Sequence, residues 1–348
     1  MAGPSAKHFN LPWHNYDYYW IAVFSADSAC ADALRGAGMQ QQEAGFLAVR
    51  AGSDWKPKWD EVYAILKDSA ARNVQVAVTP GSETLPADMT DRKSPEDVHK
   101  VAESLWLGDA IQQDRVVCYL QPVVSARDKV FGYESFARVK AENGEVIGGG
   151  KIVAASRSMN IEYMIDRLLH VQAIRTFAAS DFNGFLFVNF FPGFIHRPAV
   201  YLEGLTDTVK QHGIVARNIV LDFTRSENMR DMNHLKSVCE YCRSKGYSIA
   251  LDDIASIDGL QKLMAEVRPD FVKIDMHLAH QVADPNKRVL ISDIVEMVHE
   301  AGGTVIAEGV ETEDMYKQLA QLNVDLFQGY HFSAPIPVEE VLKKSATG

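Results

Sequence analysis

Four short apolar runs in the second half of the chain each end abruptly in charged or amide residues. They read IALDDI at 249–254, FVKID at 271–275, TVIAEGVE at 304–311 and LFQGY at 326–330. Each run is too short for a helix and is rich in Val, Ile and Phe, which predicts a buried strand. Helical patterns lie between the runs, and this alternation is typical of a parallel sheet whose strands are connected by helices.

Polar side chains collect at the ends of these runs and of the strand-like runs before them. In a parallel barrel, the loops at the carboxyl ends of the strands carry the functional groups. A single acid at a strand end is more often a helix cap or a solvated side chain, but several consecutive strands that end this way favour a shared site. The residues in these positions are Glu134, Asn189, Asp222, Asp252, Asp253, Lys273, Glu308, Glu311 and Gln328.

This set of side chains predicts a site for hard divalent cations. Carboxylate and amide oxygens, without His or Cys among them, suit Mg²⁺ or Mn²⁺ better than zinc. Several carboxylates in one cavity could not all stay ionised without cations. Bound ions would attract an anionic phosphate and lower the pKa of a water molecule. Metal-dependent hydrolysis of a phosphate ester is therefore the predicted reaction class.

Length and composition fit one barrel with a small additional domain. The chain has 348 residues, and a barrel of this type needs about 250. The net charge of −11 argues against a nucleic-acid polymer as a partner. No signal peptide and no membrane span are expected. Cys239 and Cys242 lie in a helical pattern that favours packing over metal or redox chemistry, so a reduced cytoplasmic protein is predicted.

The first part of the chain predicts a separate small α/β domain. Residues 1–80 alternate strand, helix, strand, helix and strand, and they hold Trp13, Trp20, Trp55 and Trp59. This domain either senses a signal or docks a partner, or it is a scaffold whose tryptophans fill a core or an interface. Residues 81–97 are rich in Pro, Ser, Thr and Asp, which predicts a linker, and residues 98–348 are assigned to the barrel domain.

The barrel is predicted to begin with a hairpin. A helix at about 95–113, with Ser94 as its N-cap, precedes two strand-like runs, VVCYLQPVV and KVFGYESFARV. The SARD segment between them is typical of a hairpin turn. The first two barrel strands are therefore expected to be antiparallel to each other, which is unusual for this architecture.

The order of these segments resembles the EAL family of cyclic di-GMP phosphodiesterases. The matching segments are YLQP, Glu134-Ser-Phe-Ala-Arg138, FVNF, LDFT, LDD, VKID, AEGVE and QGY, over residues 98–345. The resemblance implies a modified (β/α)₈ barrel with an antiparallel first strand. It also implies cleavage of one phosphodiester bond of cyclic di-GMP to the linear dinucleotide pGpG, with two Mg²⁺ or Mn²⁺ ions.

The resemblance also implies roles for individual residues. The implied metal ligands are Glu134, Asn189, Asp222, Asp252 and Asp253. The implied catalytic residues are Lys273, which would orient the attacking water, Glu308, which would act as a base or second-metal ligand, and the neighbouring Gln328. The implied substrate contacts are Gln121 and Arg138, of which Arg138 would pair with a phosphate, and, less directly, Glu311.

Several positions depart from the family pattern. The Glu-Ala-Leu signature is Glu134-Ser135-Phe136, a metal-binding Glu is replaced by Asp222, and a second Glu by Arg225. The loop after the paired aspartates, Phe-Gly-Thr-Gly in the family, begins with Ile254-Ala255-Ser256-Ile257. In the family that second Glu anchors this loop, which supports metal binding and dimerisation. Both the anchoring residue and the loop are altered in this chain, so turnover is expected to be slow.

Three functions remain open from the sequence. The first is a weakly active phosphodiesterase, favoured by the retained acids and lysine. The second is a cyclic di-GMP receptor that signals through residues 1–80, favoured by the departures. The third is a barrel that has lost the nucleotide and acts only through protein contacts, against which Gln121 and Arg138 argue. A homodimer through the barrel and a protein partner of the N-terminal domain are further expectations.

Overall fold

The computed structural model describes residues 16–24, 26–42, 44–68, 73–81, 91–127, 129–190, 195, 197–223 and 232–347. The chain divides into two compact units, one formed by 2–115 with 139–164 and the other by 116–138 with 165–348. The predicted domain boundaries at 80 and 98 stay predictions. In the described ranges, no helix is long and apolar enough to cross a membrane.

The strands, in chain order, are β1 (Tyr18–Phe24), β2 (Gln40–Gln41), β3 (Leu47–Gly52), β4 (Gln75–Gly81), β5 (Val116–Ser125), β6 (Val130–Lys140), β7 (Val146–Gly148), β8 (Phe185–Phe190), β9 (Ile219–Phe223), β10 (Ser248–Ile254), β11 (Phe271–Ile274), β12 (Thr304–Ala307) and β13 (Leu326–Phe327). The helices are α1 (Ser28–Gly36), α2 (Lys56–Asp68), α3 (Pro95–Ala102), α4 (Leu105–Gln112), α5 (Gly149–Ser158), α6 (Glu162–Ala179), α7 (Pro198–Gln211), α8 (Met232–Ser244), α9 (Leu260–Val267), α10 (Met276–Ala279), α11 (Pro285–Glu300), α12 (Glu313–Ala320) and α13 (Val338–Thr347).

The first unit contains a sheet with the strand order β2–β3–β1–β4. Strand β1 is antiparallel to both β3 and β4. The predicted succession of strand, helix, strand, helix and strand is confirmed, with the two-residue β2 added. Large aromatic side chains fill the core of this unit, since Tyr19, Trp55 and Trp59 are at most 1% exposed. Burial of this kind assigns Trp55 and Trp59 to packing.

The helix predicted at about 95–113 is in fact two helices. The hydroxyl of Ser94 accepts a hydrogen bond from the Asp97 amide at 3.1 Å, which confirms the predicted N-cap of α3. The break falls at Ser104, whose hydroxyl donates to the Lys100 carbonyl at 2.6 Å. Such a bond to the preceding turn offers the backbone an alternative to a continuous helix.

The second unit is built on a closed barrel. Hydrogen-bonded neighbours follow the order β5–β13–β12–β11–β10–β9–β8–β6, and a further pairing of β5 with β6 closes the ring of eight strands. The pairs from β6 through β8 to β13 are parallel, whereas β5 is antiparallel to β13. The expected TIM-type barrel with an antiparallel first strand is therefore confirmed.

An apolar layer fills the interior of the barrel. It consists of Val123, Phe187, Val220, Ala250, Phe271, Ile306 and Leu326. The alternate residues of the same strands, such as Leu186 and Leu221, belong to a second cluster that includes residues of the surrounding helices. Cys239 and Cys242 of α8 are buried and free in that cluster, as the packing interpretation predicted.

Candidate functional site

A polar layer follows the apolar layer of the barrel. Side chains alternate along a strand, so a residue two positions from an interior residue faces the interior again. On β8 this step leads from Phe187 to Asn189, and on β11 from Phe271 to Lys273. On the other parallel strands it leads to Asp222, Asp252, Glu308 and Gln328, and on the antiparallel β5 the reverse step leads to Gln121. Strand alternation thus explains why these predicted residues converge.

Lys273 lies at the centre of the polar layer. Its ammonium nitrogen is 2.6 Å from Glu308 Oε1, 2.8 Å from Asp222 Oδ2 and 2.9 Å from Glu134 Oε2. Asp252 Oδ1 lies at 3.7 Å, and the lysine side chain is 1% exposed. The contacts to Glu134 and Asp222 are hydrogen bonds, and the contact to Glu308 is a close ion pair, so carboxylates surround the ammonium.

Amide side chains orient the Glu134 carboxylate from its other sides. The Asn189 amide donates to Glu134 Oε1 at 3.1 Å, and the Gln328 amide donates to Oε2 at 2.9 Å. The same Gln328 nitrogen is 3.1 Å from Gln121 Oε1, and the Gln121 amide donates to the Ser333 carbonyl at 2.9 Å. The Ser333 carbonyl is a contact that the sequence did not indicate.

The charges in this layer are unbalanced. Burial raises the pKa of Asp222 and of Glu308 well above the ordinary carboxyl range, and the Lys273 ammonium opposes that shift. Burial lowers the pKa of Lys273, but the surrounding carboxylates outweigh it and hold that pKa well above its usual value. Burial, followed by the charge of Asp252, raises the pKa of Asp253. A single ammonium thus faces several carboxyl groups, and a bound divalent cation would neutralise the excess negative charge.

The side chains present fit such a cation. Ligand oxygens of Asp252, Asp253 and Glu308 lie within 4.8 Å of one another. The Asp253 amide donates to Asp252 Oδ1 at 2.8 Å, which links the two aspartates locally. Asp222 Oδ1 is buried and has no hydrogen-bond partner among the described residues, and a buried acceptor without a donor is suited to a metal ion. An all-oxygen donor set of this kind suits Mg²⁺ or Mn²⁺.

A second group of possible ligands lies in the first unit. Side-chain atoms of Asp60, His99 and Glu103 are also within 4.8 Å of one another. The Lys56 ammonium, however, is 2.8 Å from Asp60 Oδ2 and 2.9 Å from Glu103 Oε1. One lysine faces two carboxylates here, and they are 43% and 56% exposed to solvent, whereas the buried Lys273 faces four carboxylates. The barrel group is therefore the stronger candidate.

Two predicted substrate residues lie outside the described contacts around Lys273. The Arg138 guanidinium donates to the Ala137 carbonyl at 2.8 Å and lies 5.8 Å from the centroid of the Tyr119 ring. The Glu311 side chain is 54% exposed, and its carboxylate is 3.9 Å from His280 Nε2. The roles of Arg138 and Glu311 therefore stay predictions.

The structure describes one of the two altered elements of the family pattern. Arg225 lies outside the described residues. The rewritten loop begins where β10 ends at Ile254, whose carbonyl accepts a hydrogen bond from the Asp275 amide at 3.1 Å. It ends at Gly259, whose φ of +73° turns the chain into α9, a conformation that glycine adopts without strain.

Two contacts that support the site were missed in the sequence. Gly329 lies so close to the segment after β12 that a Cβ on it would be 2.1 Å from the Val310 carbonyl oxygen. His170 of α6 has its Nε2 atom 3.0 Å from the carbonyl of Asn189. Asp166 and His170 are four residues apart, and at that spacing on a helix side chains meet, which could have indicated the pair.

Comparisons with known proteins bear on the family to which this chain belongs. A family model described as "EAL domain" matches residues 105–335. Among curated proteins, the chain is similar to the probable cyclic di-GMP phosphodiesterase PdeG of Escherichia coli, with 26% identity over 242 residues, which cover 67% of this chain and 47% of that protein. The chain thus spans less than half the length of this relative.

Solved structures with the same fold include proteins bound to the nucleotide. A standalone EAL protein of Vibrio cholerae in its cyclic di-GMP-bound form is 27% identical, with a TM-score of 0.54, over 65% of this chain and 97% of that one. The Bacillus subtilis YkuI protein, in complex with cyclic di-GMP and calcium, is 22% identical, with a TM-score of 0.58. The match covers 69% of this chain and 64% of that one. The latter likeness supports the fold alone.

Proposed function

Because the chain belongs to the EAL domain family, we propose that it hydrolyses one phosphodiester bond of cyclic di-GMP to give pGpG, with low turnover. The observation that carries this proposal is the set of short contacts between the buried Lys273 ammonium and Glu134, Asp222 and Glu308. These contacts join the ends of separate barrel strands into one polar site, beside the three acids that could share an ion.

The proposed metal ligands are Glu134, Asn189, Asp222, Asp252 and Asp253, which would hold Mg²⁺ or Mn²⁺. Such ions neutralise the acids, attract the phosphate and lower the pKa of a bound water. The amides of Gln328 and Asn189 keep the Glu134 carboxylate in one orientation by hydrogen bonds of 2.9 and 3.1 Å. Gln121 and Arg138 would contact the nucleotide, Arg138 through a phosphate.

The proton of the attacking water would pass to Glu308. Burial raises the pKa of Glu308, which makes its carboxylate a stronger base than an exposed glutamate. Lys273 is 2.6 Å from Glu308 Oε1, so a water that accepts a hydrogen bond from the ammonium would lie within reach of that carboxylate. One of the three lysine contacts must open to receive this water.

The alternative function is a cyclic di-GMP receptor that acts through the N-terminal residues. It is favoured by the same lysine, because three carboxylates lie within 2.9 Å of its ammonium and occupy the space that a water would need. The shorter side chain at Asp222 also binds Lys273 through Oδ2. Both features slow hydrolysis without removing the Gln121 and Arg138 contacts that would recognise the nucleotide.

One experiment separates these functions. Purified protein is incubated with cyclic di-GMP and Mn²⁺, pGpG is followed by chromatography, and nucleotide binding is titrated on the same preparation. Product that disappears in Glu308→Gln supports the phosphodiesterase, since the amide cannot accept the proton. Binding without product supports the receptor. Absence of both supports a barrel that acts only through protein contacts.

A further inference from the structure

An acid and a histidine are buried together on α6, outside the polar layer. Asp166 is 5% exposed and His170 is 2% exposed. The Nε2 atom of His170 lies 3.6 Å from Asp166 Oδ1 and 3.0 Å from the backbone oxygen of Asn189. A carbonyl oxygen only accepts hydrogen bonds, so Nε2 carries the hydrogen and donates it to Asn189.

The Asn189 carbonyl lies where the sheet pairing of β8 becomes one-sided. The pairing of β6 with β8 ends at Val188, whereas the pairing of β8 with β9 continues to Phe190. A strand end that loses one neighbour needs another partner for its backbone groups. The imidazole of His170 provides that partner from a helix, immediately beside the proposed metal ligand.

The orientation of the imidazole is itself determined by packing. The His170 ring is stacked on Phe190, with 5.4 Å between ring centroids and an angle of 18°. The Tyr201 ring meets it edge-on at 5.7 Å. Because the two aromatic rings restrict rotation of the imidazole, its Nε2 atom is directed at one place, the Asn189 carbonyl.

We propose that Asp166 and His170 are positioning residues that hold Asn189 in the geometry needed for divalent-metal binding. This inference rests on the proposed metal-dependent function. Asn189 in turn orients the polar layer, since its side chain donates a hydrogen bond to Glu134 at 3.1 Å and Glu134 accepts one from Lys273 at 2.9 Å. The pair thus connects the helix layer to the site without touching substrate.

A purely structural role explains the pair less well. Burial raises the pKa of Asp166 to about 6, opposed by the charge of His170, and Asp166 Oδ2 has no hydrogen-bond partner among the described residues. Buried polar pairs are commonly replaced by apolar residues without loss of stability. The presence of an incompletely satisfied acid on the helix next to the Asn189 strand is therefore better explained by positioning of Asn189.

The test compares two substitutions of His170 that differ in hydrogen bonding. The amide nitrogen of His170→Gln can reach the place of Nε2 and donate, whereas His170→Met fills a similar volume without a donor. The matched control is Tyr247→Phe, which removes a hydrogen bond of 3.0 Å to Thr206 from a buried side chain of the same barrel unit. Mn²⁺ affinity is measured by titration of each full-length protein, with kcat and KM for cyclic di-GMP alongside.

We expect His170→Met to weaken Mn²⁺ binding by about 10-fold or more, the usual effect of removing a group that orients a ligand. His170→Gln should recover most of the loss, and Tyr247→Phe should leave Mn²⁺ affinity unchanged. In an active enzyme kcat should fall with KM nearly constant. If His170→Met does not fold, Asp166→Asn, which keeps the side-chain volume, should still weaken Mn²⁺ binding several-fold.

Equal Mn²⁺ affinities for His170→Gln and His170→Met would overturn the proposal, as would a loss in Tyr247→Phe of the same size. If the wild type binds Mn²⁺ and cyclic di-GMP but forms no pGpG, hydrolysis is refuted while the Mn²⁺ affinities still decide the positioning role. If the wild type binds no Mn²⁺ even with the nucleotide present, both proposals are wrong.

Discussion

Replacement of Lys273 by Met should destabilise the protein strongly in metal-free buffer. The substitution keeps an unbranched apolar stem of four atoms and removes the ammonium that contacts Glu134, Asp222 and Glu308 at 2.9, 2.8 and 2.6 Å. Removal of one partner from a buried ion pair costs about 3–5 kcal/mol, because the remaining charge is left without compensation. For a domain of this size such a loss lowers Tm by roughly 6 °C or more.

The loss of stability in Lys273→Met, relative to the wild type, should depend on pH. Burial already raises the pKa of Asp222 and Glu308, and loss of the ammonium raises both further. The folded variant then binds protons that the unfolded chain, with carboxyl pKa values of about 4, does not bind. Because both carboxyl pKa values are raised in the wild type as well, the stability of the variant relative to the wild type falls as pH rises through those raised values, and the difference is larger at pH 8 than at pH 5.

Thermal unfolding with EDTA at pH 5 and pH 8 provides the measurement. The control is Lys236→Met, which removes an ion pair with Glu266 of the same 2.8 Å length but with side chains 44% and 39% exposed. Such an exposed pair contributes little to stability. Added Mn²⁺ should raise the Tm of Lys273→Met more than that of the wild type. If both lysine variants unfold at the same temperature at both pH values, Lys273 does not provide the counter-charge of the site.

Three further outcomes are expected. The pKa of about 6 for the buried Asp166 implies that stability falls by about 2 kcal/mol between pH 4 and pH 6 through this group. Asp166→Asn should flatten the pH dependence of Tm in that interval, and an unchanged slope would contradict the assignment. Gly329→Ala would place Cβ 2.1 Å from the backbone oxygen of Val310, and it should lower the free energy of unfolding, measured in urea, by about 3 kcal/mol. The control is Gly150→Ala, in a helix with open space around the residue, which should be neutral or stabilising by up to about 1 kcal/mol. Glu311→Gln should change pGpG formation by less than about threefold, because this exposed side chain pairs only weakly with His280. A loss as large as that of Glu308→Gln would support the substrate contact that the resemblance implies for Glu311.

Local features of the sequence predicted much of the barrel. The runs around Ile249, Phe271 and Thr304 are strands in the structure, because strands buried on both sides must be continuously apolar and their polar residues are confined to the ends. The hairpin formed by the two runs on either side of SARD likewise predicted the antiparallel first strand, which the pairing of β5 with β13 confirms. The helix at about 95–113 was predicted without its break, since the Ser104 hydroxyl bond that accompanies the break has no strong sequence signature.

The sequence thus predicted which strand-end residues lie together, whereas it did not predict their partners. Lys273 meets Glu134 across 139 residues and Asp222 across 51, and Gln328 meets Gln121 across 207. Alternation along each strand determined which side chains face inward, but only closure of the barrel determined the register between strands and therefore the distances. The structure also left the exposed Glu311 outside the described contacts around Lys273, although it lies in the same sequence motif as Glu308. Pairing between distant strands decides which charges meet, and no local pattern encodes that pairing.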